Sequence, residues 1–297
     1  MHSLQTITDF IRWGASRFNE AELFFGHGTD NAIDEAAALV LYSLHLPPAL
    51  PAVWFDSRLT DQEKERVVGL LERRIDERIP VPYLTGEIWF AGLHFRVNKQ
   101  VLIPRSPMAE LVERGFEPWI ESSKVSRVLD LCCGSGCIGI ATAVHLPEAE
   151  VDLVDISSDA LVVAEENVLN HDLKKRVKLI ESDLFNSIGG NRYDVIVTNP
   201  PYVSAEEMSR LPAEYQHEPV LALEAADSGL AVVSRILREA HDYLSPWGVL
   251  ILEVGNSLEA LMQRYPDYPF LWIDFERGGG GVFLMTVDEL KNFNDRA

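Results

Sequence analysis

A glycine-rich segment is the clearest chemical signal in this sequence. It reads Asp-Leu-Cys-Cys-Gly-Ser-Gly-Cys-Ile-Gly over residues 130–139 and follows an apolar stretch that predicts a strand. Gly134, Gly136 and Gly139 have the spacing G-x-G-x-x-G, in which backbone N–H groups at a helix N-terminus meet a ligand. Asp155 ends the next predicted strand and has two acceptor oxygens for ribose hydroxyls. The pattern predicts an adenosine-containing cofactor.

Two such cofactors fit the segment, a nicotinamide dinucleotide and S-adenosylmethionine. Asp130 favours S-adenosylmethionine, because a carboxylate beside the loop repels a pyrophosphate but pairs with an amino group or a sulfonium. Asp183 follows a later predicted strand and could accept from the adenine amino group, although a turn residue at a strand end would look the same. A tight turn without any ligand also remains open for the glycines.

A second motif, Asn199-Pro200-Pro201-Tyr202, directly follows the apolar residues 195–198. The prolines fix φ and lack N–H groups, so the Asn199 side chain and the Pro200 carbonyl become rigid acceptors. With the flat face of Tyr202, they suit a planar NH2 on a conjugated system. Accepting both hydrogens raises the electron density of that nitrogen, and fixing it beside a methyl donor supplies proximity. These four residues are the predicted catalytic group, and a strand-terminating turn is the alternative.

A parallel sheet is needed to bring both motifs to one edge. Helical stretches, such as residues 158–171 and 228–243, separate the first five predicted strands, which is typical of right-handed parallel crossovers. The last two strands are joined by a segment too short for a crossover helix, so the final strand must run antiparallel. The sequence predicts a doubly wound α/β sheet of seven strands at residues 127–131, 150–155, 177–181, 194–198, 248–254, 270–275 and 281–287.

The preceding part of the chain has a different pattern. Residues 30–45 have apolar side chains at helical spacing behind Asp30 or Asn31, and a capping box at Thr60 opens a second helix that is expected to reach Ile79. Short strands are predicted from residue 87 to 97 and again at 101–104. We therefore divide the chain into a helical domain (1–80), a hairpin linker (81–107) and a catalytic domain (108–297).

Charge and hydropathy limit the partners. The 297 residues include 26 lysines and arginines against 46 acidic residues, a net charge of −20, of which −15 falls after residue 120. Such a field repels phosphate backbones, so we expect no sequence-specific nucleic-acid binding, whereas a basic protein partner fits. No apolar run is long enough for a membrane span, and the first segment does not look like a signal peptide, so a soluble cytoplasmic protein is predicted.

The three cysteines, Cys132, Cys133 and Cys137, lie within six positions. An odd number at this spacing cannot build a disulfide framework. No CxxC pair or neighbouring histidine completes a metal site, so no metal is expected. The cysteines are interpreted as small apolar side chains lining a tight loop.

The segments DLCCGSGCIGI, VDIS, SDLF and VIVTNPPYV together resemble the class I S-adenosylmethionine-dependent methyltransferases of the HemK type, which modify the side-chain amide of glutamine in proteins. The resemblance covers nearly the whole chain, through GHGTDNAIDEA, RIPVPYLT, VLIPRSP, EYQHEP and GGGGVF. The release-factor branch commonly has R-P-E-T-E where this chain has RSPMA at residues 105–109. The chain therefore looks like the branch that methylates the third large-subunit ribosomal protein.

This resemblance implies a Rossmann-like sheet, a small N-terminal helical domain that recognises the substrate, and a linking hairpin. The residues that it implies for cofactor binding are Asp130, Cys132, Cys133, Gly134, Ser135, Gly136, Asp155, Asp183, Leu184 and Asn199. Asn199, Pro200, Pro201 and Tyr202 would bind the amide. Many relatives begin the cofactor loop with glycine and threonine where this chain has two cysteines, which makes its first turn less permissive.

Several alternatives remain open at this stage. Arg105 either shapes the pocket or binds substrate, or else makes a structural pair. His217 lies in the loop 204–228, which is expected to border the acceptor site, but a base is not required because water can take the amide proton. The expected partner is a basic large-subunit ribosomal protein, free or in an assembly intermediate. The rival functions are methylation of the exocyclic amino group of adenine in DNA or RNA, and a non-catalytic assembly factor.

Overall fold

A computed structural model describes residues 3–295 of the chain, which forms two compact units. The first unit ends at Ile88 and also contains the separate segment Leu211–His217. The second unit runs from Trp89 to Arg210 and resumes at Glu218. The sequence-based division placed Leu211–His217 in the catalytic domain, whereas its contacts group it with the helical residues.

In the described part of the first unit there are four α-helices, and the starts of the three longer ones follow from the local sequence. Thr6 and Thr60 each form a capping box with the acidic residue three positions on, and the Asn31 side chain caps the second helix. The helices bury one apolar core that includes Phe10, Phe18 and Leu39. They are α1 (Ile7–Glu20), α2 (Ala32–Ser43), α3 (Asp61–Asp76) and α4 (Val81–Thr85).

Two expectations for this region need correction. Helix α3 ends at Asp76 instead of Ile79, because Arg78 adopts φ 54° and the chain is extended at Pro80. A short helix, α4, follows where the linker was expected to begin, and Pro82 lies in its first turn, where a missing N–H costs nothing.

The predicted hairpin is present. Strands β1 (Glu87–Phe90) and β2 (Leu93–Arg96) form a two-stranded sheet. Gly92 lies between them at φ 73°, a conformation that favours glycine. The further strand expected at residues 101–104 was wrong, since that segment has no regular secondary structure.

The second unit contains the predicted seven-stranded sheet. Its order is β5-β4-β3-β6-β7-β9-β8, and β9 runs antiparallel to both of its neighbours. Six strands therefore share one direction and the last is reversed, as the sequence predicted. The strands are β3 (Arg127–Leu131), β4 (Glu150–Asp155), β5 (Val177–Glu181), β6 (Tyr193–Thr198), β7 (Leu244–Glu253), β8 (Leu271–Trp272) and β9 (Val282–Thr286).

Helices lie between these strands, with some bounds shorter than predicted. The helix expected over residues 228–243 is regular only over Ala231–Glu239 and tightens into a 3₁₀ turn at Ala240–Asp242. The strand expected at 270–275 is reduced to β8. The helices are α5 (Ala109–Glu113), α6 (Cys137–His145), α7 (Ser158–Asn170), α8 (Ala205–Met208), α9 (Val220–Leu223), α10 (Ala231–Glu239), α11 (Leu258–Arg264) and α12 (Val287–Asn294). Within residues 3–295, no helix has the length and apolar character needed to cross a membrane.

Candidate functional site

Pairing register brings the ends of the parallel strands together. Leu131 of β3 pairs with Val154 of β4 on one side and with Thr198 of β6 on the other. Thr198 in turn pairs with Leu252 of β7. The glycine-rich loop, Asp155, Asn199 and Glu253 therefore leave the sheet at one edge, which is where ligands bind in open α/β folds.

A cavity of about 550 Å³ lies at this edge, within the second unit. Its volume falls in the usual range for small-molecule sites. The predicted cofactor residues that line it are Cys132, Cys133, Gly134, Ser135, Asp155, Asp183, Leu184 and Asn199. The structure thus brings most of the sequence-predicted site to one cavity, and Pro201 of the second motif joins it.

The glycine-rich loop turns sharply from β3 into α6. Cys132 adopts φ 61°, a left-handed conformation that glycine accepts at less cost, at the position where many relatives have glycine. Gly139, one turn into α6, allows the helix to approach β3 closely, because a Cβ there would lie 2.9 Å from the Asp130 Cβ. The loop and the first residues of α6, Cys137 and Ile138, lie at the cavity, so the N-terminus of this helix is directed toward it.

Asp130 lies behind the loop and is not among the residues that line the cavity. It is buried, and its Oδ2 accepts a hydrogen bond of 2.7 Å from the Gly139 N–H. Its Oδ1 has no hydrogen-bond partner within residues 3–295. Burial raises the pKa of Asp130 to about 7, because the N–H bond only partly offsets the lost hydration.

Asp155 shapes the loop from the neighbouring strand. Its carboxylate accepts hydrogen bonds from the N–H groups of Gly134 (2.8 Å) and Ser157 (2.9 Å). Burial raises its pKa above the usual range despite these bonds. Each carboxylate oxygen can accept a second hydrogen bond, so Asp155 retains capacity for a ribose hydroxyl.

Asp183 lines the cavity beyond β5 and is already paired. Arg235 of α10 donates two hydrogen bonds to it, of 2.8 and 3.1 Å, in a bidentate geometry. Both side chains also line the cavity. The next residue, Leu184, has φ 49° and is buried in the core. Any ligand contact at Asp183 is therefore made to a carboxylate that an arginine holds in place.

The second motif divides between the cavity and the protein behind it. Asn199 and Pro201 line the cavity, whereas Pro200 and Tyr202 are not among its lining residues. The Asn199 Oδ1 is buried and has no hydrogen-bond partner in the described part of the chain. The Tyr202 hydroxyl donates to Glu253 at 3.1 Å. A buried acceptor without a partner, such as Asn199 Oδ1, lowers stability unless a ligand donates to it.

Arg105 and His217 have clear contacts. Arg105 donates to both carboxylate oxygens of buried Glu218 (2.7 and 2.8 Å), and Glu218 also accepts from the Ile103 N–H at 3.0 Å. Arg105 lines the cavity as well, so it makes a structural pair and shapes the pocket. His217 belongs to the first unit, where its Nε2 lies 2.9 Å from the Glu77 carbonyl oxygen.

The cysteines are buried or nearly so. Burial raises the pKa of the thiols of Cys132, Cys133 and Cys137, which keeps them protonated. Among residues 3–295, no three histidine, cysteine or acidic side chains are grouped as metal ligands.

Sequence reasoning missed Ser106, Arg235 and Glu253. Ser106 and Arg235 line the cavity, and Glu253 contacts the second motif from the end of β7. A signal for Glu253 was available, because it ends an apolar strand in the sequence Leu-Ile-Leu-Glu as Asp155 ends Val-Asp-Leu-Val-Asp. No comparable signal marks Arg235, whose role depends on how α10 packs.

Family models and solved structures agree with this architecture. The model of the PrmC N-terminal domain matches residues 9–86, and that of the methyltransferase small domain matches residues 117–214. Two crystal structures of the hMettl16 catalytic domain, in complex with MAT2A 3′UTR hairpins 6 and 1, align with TM-scores of 0.51. The alignment with the hairpin 6 complex covers 76% of this chain and 81% of that chain at 18% identity. The alignment with the hairpin 1 complex covers 85% of this chain and 91% of that chain at 16% identity. Identities this low support the fold alone.

Two curated relatives are far more similar. The ribosomal protein uL3 glutamine methyltransferase of Xanthomonas campestris pv. campestris is 53% identical over 289 residues, which cover 97% of this chain and 93% of the relative. The enzyme of the same name from Xylella fastidiosa is 51% identical over 293 residues, 99% of this chain and 94% of the relative. This similarity confirms the family expected from the motifs: the chain belongs to the ribosomal protein uL3 glutamine methyltransferases.

Proposed function

We propose that this protein transfers a methyl group from S-adenosylmethionine to the side-chain amide nitrogen, N5, of a glutamine in ribosomal protein uL3. The observation that carries the proposal is the buried Asn199 Oδ1, which lines the cavity and lacks a donor within residues 3–295. A glutamine amide supplies such a donor. The names of the two curated relatives, from Xanthomonas campestris and Xylella fastidiosa, support the same acceptor.

The cavity has the groups that S-adenosylmethionine needs. Asp155 has free acceptor capacity for the ribose, and Cys132, Cys133, Gly134 and Ser135 line the cavity just before the N-terminus of α6. Asp183 and Leu184 border the expected adenine side, where the Arg235 pair fixes the carboxylate. When bound, this cofactor supplies an electrophilic methyl group on its sulfonium. Asp130 acts from behind the loop by holding the Gly139 N–H and the start of α6.

The acceptor residues address the weakness of an amide as a nucleophile. Its nitrogen lone pair is delocalised, so Asn199 Oδ1 and the Pro200 carbonyl accept its two N–H bonds and increase its electron density. The prolines keep these acceptors in fixed positions. Holding the nitrogen against the methyl donor contributes up to about 7–11 kcal/mol of the barrier through proximity. The amide proton leaves to water or to a nearby acceptor during or after transfer.

Charge favours a basic protein as the substrate. The net charge of −20 raises the local concentration of basic polypeptides and repels nucleic acid. We place the reaction in the cytoplasm, where uL3 is met as free protein or in an assembly intermediate of the large subunit. We also propose that the first, helical unit, which ends at Ile88 and includes Leu211–His217, recognises the substrate.

The test is incubation of the purified protein with methyl-labelled S-adenosylmethionine in separate arms. The arms contain free uL3, other isolated ribosomal proteins, large-subunit precursors, ribosomal RNA and DNA. We expect the label to enter uL3, either as the free protein or within large-subunit precursors. Mass spectrometry should locate the added methyl group on one glutamine of uL3. Label in adenine of RNA or DNA would support the rival acceptor, and the absence of label in every arm would support a non-catalytic assembly factor.

A further inference from the structure

Glu253 is a buried carboxylate that joins two parts of the site. It ends β7, one position past the pairing of Thr198 with Leu252. Its Oε2 accepts a short hydrogen bond of 2.5 Å from the hydroxyl of Ser106, which lines the cavity. Its Oε1 accepts from the Tyr202 hydroxyl at 3.1 Å. One carboxylate therefore holds the loop at Ser106 and the end of the Asn199–Tyr202 motif.

Tyr202 is confined on its other sides as well. The Ser257 hydroxyl donates to the Tyr202 carbonyl oxygen at 2.5 Å. Gly255 packs against the ring so closely that a Cβ there would lie 2.5 Å from Tyr202 Cε2 and 2.8 Å from its hydroxyl oxygen. The ring is not among the residues lining the cavity. Its position is thus set by the protein, which differs from the flat substrate-facing surface that the sequence suggested.

We propose that Glu253 is a positioning residue for methyl transfer: by holding Tyr202 and Ser106 it fixes the Asn199 and Pro200 acceptors relative to the cavity. The inference rests on the proposed function. Hydrogen bonds to a buried carboxylate are stronger than those between neutral groups, so this one side chain can set the geometry of both segments. A displacement of about 1 Å at an acceptor is enough to lower turnover by about 100-fold.

Three neighbouring groups offset part of the effect of burial on the Glu253 carboxyl group, whose pKa stays above its usual value. Burial raises the pKa of Glu253, while the hydroxyls of Ser106 and Tyr202 and the nearby Arg105 lower it. Arg105 is itself held by Glu218. The loop at residues 103–106 and the turn after β6 thus meet at Glu253, and Glu218 holds Arg105 near it.

The first test is Glu253→Gln, which keeps the volume but replaces an oxygen acceptor with an NH2 group. Asp194→Asn is the matched control, because Asp194 is another buried carboxylate that accepts a serine hydroxyl (Ser126, 2.8 Å), at the opposite end of β6. We expect kcat to fall by about 10–100-fold in Glu253→Gln, with KM for uL3 and the dissociation constant of S-adenosylmethionine within about 2-fold of wild type. The control should keep its kcat within about 2-fold.

Tyr202→Phe tests the same contact from the other side and retains the ring. We expect a loss in kcat of about 5–20-fold, and a double variant with Glu253→Gln that is little worse than Glu253→Gln alone, because both remove one interaction. If Glu253→Gln does not fold, Tyr202→Phe carries the test. Glu253→Asp, which shortens the side chain but keeps the charge, should recover part of the activity.

Wild-type kcat in both Glu253→Gln and Tyr202→Phe would overturn the inference. Additive losses in kcat in the two variants would also overturn it. So would a loss in kcat that is accompanied by a lower melting temperature and a weaker cofactor affinity and that also occurs in Asp194→Asn, since this indicates a purely structural role. Failure of the wild-type protein to methylate uL3 would instead refute the proposed function. The two failures are therefore distinguishable.

Discussion

A buried charged cluster in the first, helical unit contrasts with two buried acceptors at or behind the cavity of the second, catalytic unit. In the helical unit, Arg74 is fully buried and donates to Glu35 (3.0 Å), to Glu214 (3.3 Å) and to the Phe24 carbonyl (2.9 Å). Glu214 Oε1 also accepts from Arg78 at 3.2 Å and from the Phe24 N–H at 3.1 Å. Burial alone would raise the pKa of Glu214, but the Phe24 N–H and Arg74 bring it below its usual value.

The two acceptors of the catalytic unit have no such cationic partner. Asn199 Oδ1 and Asp130 Oδ1 have no hydrogen-bond partner in the described part of the chain, and both lie at or behind the cavity. A paired buried cluster stabilises one conformation, whereas an open acceptor lowers stability until a ligand donates to it. The contrast is between charges that the protein itself pairs and acceptors that it leaves open at or behind the cavity.

The largest expected effect is on the helical unit. Arg74→Met leaves the carboxylates of Glu35 and Glu214 buried without this guanidinium, so we expect unfolding to become easier by about 3–5 kcal/mol in urea denaturation. Arg73→Met is the matched control, because the adjacent Arg73 pairs with Glu77 at an exposed site; it should cost less than about 1 kcal/mol. Equal effects in the two variants would contradict the comparison.

Asn199→Ala should damage turnover more than folding. Removing the open acceptor is expected to lower kcat by about 100–1,000-fold, while the dissociation constant of S-adenosylmethionine from calorimetry stays near the wild-type value. Asn191→Ala is the control and should keep its turnover, because Asn191 lies just before the start of β6, away from the cavity, and accepts a hydrogen bond from Arg127. An equal collapse of cofactor binding in Asn199→Ala would show that its assigned role is wrong.

Asp130 should give the cofactor-free protein a distinctive pH dependence. Its pKa is about 7 in the native state against 3.8 for an ordinary aspartate, so the native state retains a proton that the unfolded chain releases. Its contribution to stability is therefore complete below pH 4 and lost as the pH rises to about 7 and beyond. Relative to Asp130→Asn, the wild type should lose about 2–4 kcal/mol between pH 4 and pH 8. A pH-independent difference between the two unfolding curves would contradict this assignment.

Asp155→Ala should weaken cofactor binding by a smaller amount. It removes the proposed ribose acceptor and also frees the Gly134 N–H, so we expect the dissociation constant of S-adenosylmethionine to rise about 10–100-fold by calorimetric titration. Asp159→Ala, on the exposed first turn of α7, should leave the constant unchanged. An unchanged constant in Asp155→Ala would refute the role.

The smallest expected effect is that of salt. If the excess acidity attracts a basic substrate, kcat/KM for uL3 should fall several-fold as ionic strength rises from about 0.05 to 0.2 M, because added ions screen exposed charges. Cofactor affinity serves as the control and should change much less. A salt-independent kcat/KM would reduce the net charge of −20 to a feature of solubility.

Much of the fold could be predicted because local patterns are strong. The alternation of strands and helices predicted the seven strands of the sheet and its reversed final strand. The capping box at Thr60 predicted where α3 begins, and the apolar residues before Asn199 predicted β6. Errors fell where several weak preferences compete. Residues 101–104 are apolar yet irregular: Val101, Leu102 and Pro104 line the cavity, and the Ile103 N–H donates to the Glu218 side chain instead of to a neighbouring strand.

The site was predictable to the extent that a residue's place follows from its strand. Cys132, Asp155, Asp183 and Asn199 each follow or end a parallel strand, so they had to meet at one edge. The direction in which a side chain points was not predictable. Asp130 precedes the loop by two residues but faces Gly139, and Tyr202 belongs to the second motif but faces Glu253.

The sequence by itself determined the sheet, the family and the sheet edge at which the cavity lies, because strand periodicity and the glycine and proline motifs are local properties of the chain. Only the tertiary structure decided which polar groups pair and which stay open. Arg74 pairs with Glu214, which is 140 residues away in the chain. Tyr202 pairs with Glu253, which is 51 residues away. Packing fixes such distant pairs, and it therefore distinguishes a buried charge with protein partners from an acceptor left open beside the cavity.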